Sequence, residues 1–189
     1  RYLAGENPWA KHTLGHEHPN PPDMILGHEI GATLVKASER RVGLMAFKTC
    51  GRCRYCRTGR SNLCPNTAHL GHGAGWEGQN PGGMAEYCPV WDTHLFDLPD
   101  HISLEEATFL DGLGVAVNAV NRTEIFPGST AAILGGGPIG LSIAQVARSR
   151  GARVTVTDIY PTPLVCAEEL GLGPCLDVSE METAQVTEV

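Results

Sequence analysis

Ser129-Thr130-Ala131-Ala132-Ile133-Leu134-Gly135-Gly136-Gly137-Pro138-Ile139-Gly140 is the stretch whose reading decides the fold. Ser129 to Leu134 reads as a short buried strand, and the glycines that follow at once have the G-x-G-x-x-G spacing that opens a helix. Gly135 permits the tight turn, Gly137 lets a pyrophosphate approach the backbone, and Gly140 lets the helix pack closely on the strand. Pro138 suits the first helical turn, where no N–H bond is lost. The turn presents unpaired N–H groups and the positive end of a helix dipole to an anion. An amphipathic segment continues to Arg150, and Arg153-Val154-Thr155-Val156-Thr157 forms a second strand ending in Asp158, eighteen residues beyond Gly140. A carboxylate there accepts hydrogen bonds from adenosine ribose hydroxyls and repels a 2′-phosphate, and no Lys or Arg occurs from 159 to 167. NAD is therefore expected rather than NADP. The alternative is an α/β domain whose glycine turn binds nothing.

Beyond Pro163 the sequence predicts a helix ending near Gly171, a third strand over 174–178, and a further helix capped by Ser179-x-x-Glu182. That is about half of a doubly wound parallel sheet of six strands. Cys88, Cys166 and Cys175 have no partners at metal spacing and read as small buried residues.

The other marked stretch is Cys50-Gly51-Arg52-Cys53-Arg54-Tyr55-Cys56, followed by Cys64. Four thiols at C-x2-C-x2-C-x7-C spacing can converge on one tetrahedral Zn²⁺, leaving no open coordination position, so the expected metal is structural. Unrelated buried cysteines or two disulfides are the alternative.

A chain of 189 residues, 42% hydrophobic and 19% charged, is long enough for one domain or two small ones. No apolar run reaches membrane-spanning length, and 1–6 lack the apolar core of a secretory signal. Seven cysteines, four already grouped for metal, favour a reducing cytoplasmic setting. A net charge of -7 argues against a nucleic-acid partner. Arg52, Arg54, Arg57 and Arg60 are a local exception, read as a solvated loop because interleaved aromatics are lacking. Residues 1–23 read as loop, broken by Pro8, Pro19, Pro21 and Pro22, with His12, His16, Glu17 and His18 as polar loop residues rather than ligands.

Met24-Ile25-Leu26-Gly27-His28-Glu29-Ile30 delivers an imidazole beside a carboxylate. Both are good zinc ligands, although the dipeptide alone reads rather as a strand-end histidine bonded to its neighbour. Gly27-His28-Glu29, the four-cysteine stretch and Gly82-Gly83-Met84-Ala85-Glu86-Tyr87 together resemble the catalytic domain of zinc-containing medium-chain alcohol and polyol dehydrogenases. The resemblance implies a GroES-like β-rich domain over 1–122 and a partial Rossmann domain over 123–189. It implies that His28 and Glu29 are catalytic and hold a catalytic zinc, and that Cys50, Cys53, Cys56 and Cys64 hold the structural one. Asp111 matches an acidic position that lies at the catalytic metal in the polyol and threonine branches; an ordinary solvated carboxylate near a helix end is its other reading.

Three departures accompany the resemblance. The family's first cysteine ligand has no counterpart here, so the chain is expected to be an N-terminally truncated or internal piece, inactive alone. Ala32 stands where a glycine is expected. The stretch Lys36-Ala37-Ser38-Glu39-Arg40-Arg41-Val42 is short, as if a strand or turn were lost. Between Cys64 and Gly82, His69, His72 and Trp76 lie in a glycine-rich stretch that reads equally as a cleft rim or a surface loop.

Val90 to Pro99 reads as strand, and Ser103-Leu104-Glu105-Glu106 as a capping box from which a helix runs through Phe109 toward Val120. The expected activity is zinc-dependent hydride transfer from a small alcohol, a polyol, sugar or other secondary alcohol, to NAD, in a parent that forms a homo-oligomer. The alternative is a non-catalytic zinc-stabilised nucleotide-binding remnant.

Overall fold

The computed structural model describes residues 25–71, 74–75 and 78–181, and its contacts divide the chain into two compact units, Arg1–Leu110 and Asp111–Val189. The expectations for 1–23, for His72 and Trp76, and for a helix reaching Glu182 lie outside the described residues.

The first unit is β-rich, as its resemblance implies. Strand β1 (Gly31–Leu34) runs antiparallel to β2 (Ala37–Leu44), with Ala32 opposite Val42 and Gly31 opposite Gly43. Ala37 to Val42 is thus part of the return strand of a hairpin. Two residues, Val35 and Lys36, make the reversal. Val42, 1% exposed, enters a core with Leu44, Ala46 and Leu70, and Ala32 packs half-buried against it. Burying each large side chain here contributes about 1.5–3 kcal/mol. Arg41 looks outward, and its guanidinium donates to the carbonyls of Ile102 (2.6 Å) and Pro99 (3.0 Å).

Strand β3 (Phe47–Thr49) pairs with β4 (Thr67–His69) to form a two-stranded stem. The four-cysteine loop and its short helix α1 (Arg54–Arg57) are carried between them. A small hairpin, β5 (Ala74–Gly75) with β6 (Gly78–Gln79), follows. The strand expected over Val90 to Pro99 is shorter: a 3-10 turn occupies Asp92–His94, and β7 (Leu95–Asp97) alone joins the sheet, in the order β1-β2-β7.

The capping box at Ser103 is present: Glu106 N–H donates to the Ser103 hydroxyl (3.0 Å), and Ser103 N–H donates to the Glu106 carboxylate (2.7 Å). The helix it starts is one turn, α2 (Leu104–Ala107). The Thr108 hydroxyl donates to the Glu105 carbonyl and Phe109 N–H to the Glu106 carbonyl, tightening the chain before α3 (Leu110–Asn121) begins. One expected helix is thus two.

The second unit is the expected Rossmann-like half. Three parallel strands, β8 (Thr130–Leu134), β9 (Arg153–Asp158) and β10 (Cys175–Asp177), lie in the order β10-β9-β8. They are joined by α4 (Pro138–Ser149) and by α5 (Pro161–Glu169), which starts two residues before Pro163. Ala116 and Val120 of α3 pack into this unit's core with Ile133, Ala144, Ala147, Val154, Val156 and Ala167. This is why α3 groups with the sheet that follows it, whereas the sequence reading drew the line after 122. Cys88, Cys166 and Cys175 are half-buried rather than buried.

The segment preceding β1 is clamped through its backbone. Gly82 N–H donates to the Ile25 carbonyl, Met84 N–H to Leu26 and Gly83 N–H to Gly27, each at 2.9 Å. A Cβ on Gly82 would collide with the carbonyl oxygens of Gly27 and Leu26, and one on Gly71 with the backbone of Gly27. Gly82→Ala is expected to destabilise the first unit by about 1–3 kcal/mol, the usual range for overpacking against atoms that cannot move away. Thermal unfolding measures it, and an unchanged midpoint would show that the segment is not clamped.

Candidate metal centres and cofactor turn

The β3–β4 stem brings Cys50 and Cys64 to its end, and α1 begins at Cys53, whose sulfur accepts from the Cys56 N–H at 3.5 Å. The Sγ atoms stand 3.5 Å apart for Cys53–Cys56 and Cys64–Cys50, and 3.8 Å apart for Cys53–Cys64. All four lie within 4.8 Å of one another. With Zn–S near 2.3 Å, tetrahedral geometry puts sulfurs about 3.8 Å apart, so the cluster fits one zinc ion. A disulfide requires about 2.05 Å, and all seven cysteines are free.

The thiols are electrostatically unequal. The Arg52 backbone N–H lowers Cys50 to about 6 against desolvation, while loss of water pushes Cys64, 7% exposed, up to about 11. Metal binding to such a set displaces protons. The arginines at 52, 54, 57 and 60 are exposed around the lobe, as a solvated loop requires.

His28 and Glu29 follow the clamped Gly27. They bring an imidazole nitrogen and a carboxylate oxygen within 4.8 Å of each other, a donor pair that fits a zinc ion. The imidazole is half-buried and Glu29 exposed. Both line a cavity of about 330 Å³ with Leu26, Ile30, Gly83 and Met84. Beside it is a residue that the sequence offered as part of a cleft rim or a surface loop, and not as a partner of the metal pair. His69, the last residue of β4, meets the His28 ring edge-to-face, with centroids 5.1 Å apart and planes at 77°. Only the pairing of β4 with β3 puts it there, and no local sequence signal reports such a register. Asp111 stands in the first turn of α3, in the second unit.

In that unit the glycine turn has the expected shape. Gly135 has φ +102°, and its N–H donates to the Thr157 carbonyl (2.8 Å), tying the end of β8 to β9. A Cβ on Gly140 would collide with the Gly135 carbonyl, so α4 approaches β8 as only glycine allows. Nothing lies within 4 Å of a Cβ position on Gly137, the N-cap of α4, so the space over the helix N-terminus is open. Pro138 occupies N1, and Ile139 is exposed behind it.

Asp158 closes the turn. One carboxylate oxygen accepts from Tyr160 N–H (2.9 Å) and the other from Gly136 N–H (2.7 Å). These bonds, the one from Tyr160 foremost, hold the carboxyl below the usual carboxylate range. The open Gly137 position, the helix terminus and an ionised acid at the end of β9 fit a dinucleotide.

Among the described residues no helix is long and apolar enough to cross a membrane. The alcohol dehydrogenase GroES-like domain family matches residues 5–100. The chain is 32% identical over 171 residues to sorbitol dehydrogenase of Bacillus subtilis, covering 86% of this chain and 47% of that protein. It is 35% identical over 187 residues to L-threonine 3-dehydrogenase of Rhizobium rhizogenes, covering 94% and 50%. Among solved structures it is similar to an alcohol dehydrogenase from Thermus, with TM-score 0.76 and 28% identity over 89% of this chain and 51% of that one. A structure from Sinorhizobium meliloti, described as a zinc-binding dehydrogenase bound to NADP, is similar with TM-score 0.77 and 33% identity over 89% and 50%. The chain spans about half the length of the curated relatives it matches. A match across 5–100, together with the β-rich unit, its four-thiol lobe and the parallel sheet that follows, places this chain in the alcohol dehydrogenase GroES-like domain family.

Proposed function

We propose that the protein is a zinc-dependent oxidoreductase transferring a hydride from a small secondary alcohol, a polyol or sugar, to NAD. The observation that carries this reading is the His28–Glu29 pair, held by a clamped backbone at the wall of a small-molecule-sized cavity. The chain also carries a dinucleotide turn closed by an acid. The names of its relatives, sorbitol and L-threonine 3-dehydrogenase, support a polyhydroxy or secondary alcohol.

Cys50, Cys53, Cys56 and Cys64 would hold a structural zinc. His28 and Glu29, with Asp111 as a further oxygen ligand, would hold the catalytic one. When bound, zinc supplies Lewis acidity to the alcohol oxygen, and the nicotinamide supplies the hydride acceptor. His28 and Glu29 would fix the metal's position through the Gly27 clamp, while Leu26, Ile30 and Met84 give the cavity apolar walls against which a carbon skeleton would be oriented.

Gly135, Gly137 and Gly140 shape the pyrophosphate site, Pro138 and Ile139 begin its helix, and Asp158 takes the adenosine ribose. The ionised carboxylate at Asp158 favours NAD over a 2′-phosphorylated cofactor, even though one similar structure is described with NADP. Free thiols throughout suit a cytoplasmic protein. The intact protein is read as a homo-oligomer.

Elemental analysis of the purified chain is expected to give two zinc ions. Cys53→Ser should remove one, and a His28→Ala, Glu29→Gln double variant the other; a single zinc in the unaltered chain would leave only the structural site. For the cofactor, NAD should bind more tightly than NADP by titration calorimetry. Asp158→Asn keeps an oxygen for the Gly136 N–H but loses the charge, so it should shift the ratio toward NADP by about tenfold. An unmoved ratio would remove Asp158 from cofactor choice. In the whole protein, NADH formation from a panel of polyols tests the substrate class, and turnover confined to primary alcohols would contradict it.

A further inference from the structure

We propose that His69 is a positioning residue for the metal ligand His28, and that the β3–β4 stem sets the angle at which that ligand faces its metal. The inference rests on the reading of His28 and Glu29 as a zinc site. Three observations, all within the first unit, carry it. The His69 and His28 rings meet edge-to-face at 5.1 Å and 77°, inside the 4.5–7 Å range in which such pairs attract. The His69 ring is itself held, because its Nδ1 lies 3.0 Å from the Leu70 carbonyl; a carbonyl only accepts, so Nδ1 carries the hydrogen. Leu70 is 2% exposed and hydrogen-bonded through its own N–H to the Ala46 carbonyl, so the acceptor belongs to the core. Phe47, opposite His69 in the β3–β4 register, lies at a ring distance of 6.2 Å.

An imidazole on a metal has a ring plane that must be fixed if its lone pair is to point at the ion; hydrogen-bonded groups that fix such rings typically contribute 10–100-fold in metal affinity, and a ring contact that does the same is expected at the lower end of that range. His28 has its backbone clamped at Gly27 by Gly71 and Gly82, which sets where the side chain starts. His69 sets how its ring is turned. The two restraints come from the end of β4 and the turn just past it, His69 for the ring and Gly71, two residues on, for the backbone, so a single stretch of chain defines the ligand.

The test uses the full chain loaded with Co²⁺, whose thiolate charge-transfer band reports the four-cysteine site; the d–d absorption that remains after subtracting the spectrum of the His28→Ala, Glu29→Gln double variant reports the geometry of the oxygen and nitrogen site. His69→Leu fills the space without a flat ring, and His69→Phe restores the flat edge and face. The leucine variant is expected to weaken the second cobalt site about tenfold and shift its d–d band, with the charge-transfer band unchanged; the phenylalanine variant should recover most of the affinity. If the leucine variant loses the charge-transfer band through misfolding, His69→Asn is compared with His69→Phe in its place. A non-aromatic variant that binds the second cobalt as tightly as the unaltered chain, with the same spectrum, overturns the proposal. So does equal loss in the phenylalanine variant. One cobalt only in the unaltered chain overturns the zinc-site reading, and this inference with it, whereas two cobalts unaffected by His69 overturn this inference alone.

Discussion

The first unit depends on backbone packed against backbone. Gly27 lies between Gly71 and Gly82, where no side chain fits, and 82–84 hydrogen-bond to 25–27 as a strand would without forming one. Peptide groups at this range leave no slack, because any shift breaks hydrogen bonds that cost far more unmade than they contribute when formed. The imidazole and carboxylate that follow Gly27 therefore issue from a fixed point. A histidine on a free loop would have to lose that freedom on binding a metal, whereas here the loss is met during folding.

The stem is the second device. β3 and β4 carry the four-thiol lobe at one end and His69 at the other, so a single two-stranded ribbon touches both candidate metal positions. An isolated ribbon of this length is marginal in water. It persists because Ala46, Ala68 and Leu70 are buried along it and because the cysteine loop converges at its far end.

Much of the architecture was legible because it is written in local chemistry. Gly135 to Gly140, the acid at 158, the four cysteines and the Ser103–Glu106 cap each state their geometry over a few residues, and the structure has the expected turn, cluster and cap. What was not legible depends on register. The stretch Lys36 to Val42 is short beside the resemblance, and only the pairing shows Ala37 to Val42 as part of a strand returning beside Gly31 to Leu34, with Arg41 pinned to carbonyls some sixty residues away. His69 could be read only as part of a cleft rim or a surface loop, because the ring it meets is forty-one residues distant and no local spacing reports that contact. The split of the helix after Ser103 likewise follows from Thr108 bonding back onto its own turn, a choice that local propensity leaves open.

Asp158 has one further consequence. Its two oxygens bridge the amides of Gly136 and Tyr160, so one carboxylate splints the mouth of the glycine turn to the start of the next helix before any nucleotide arrives. The residue that would select the cofactor is thus also the rivet of the surface that receives it. Redesigning that preference by exchanging this side chain alone would trade selectivity against the rigidity of the cradle, and a successful redesign must first supply another acceptor for the Gly136 amide.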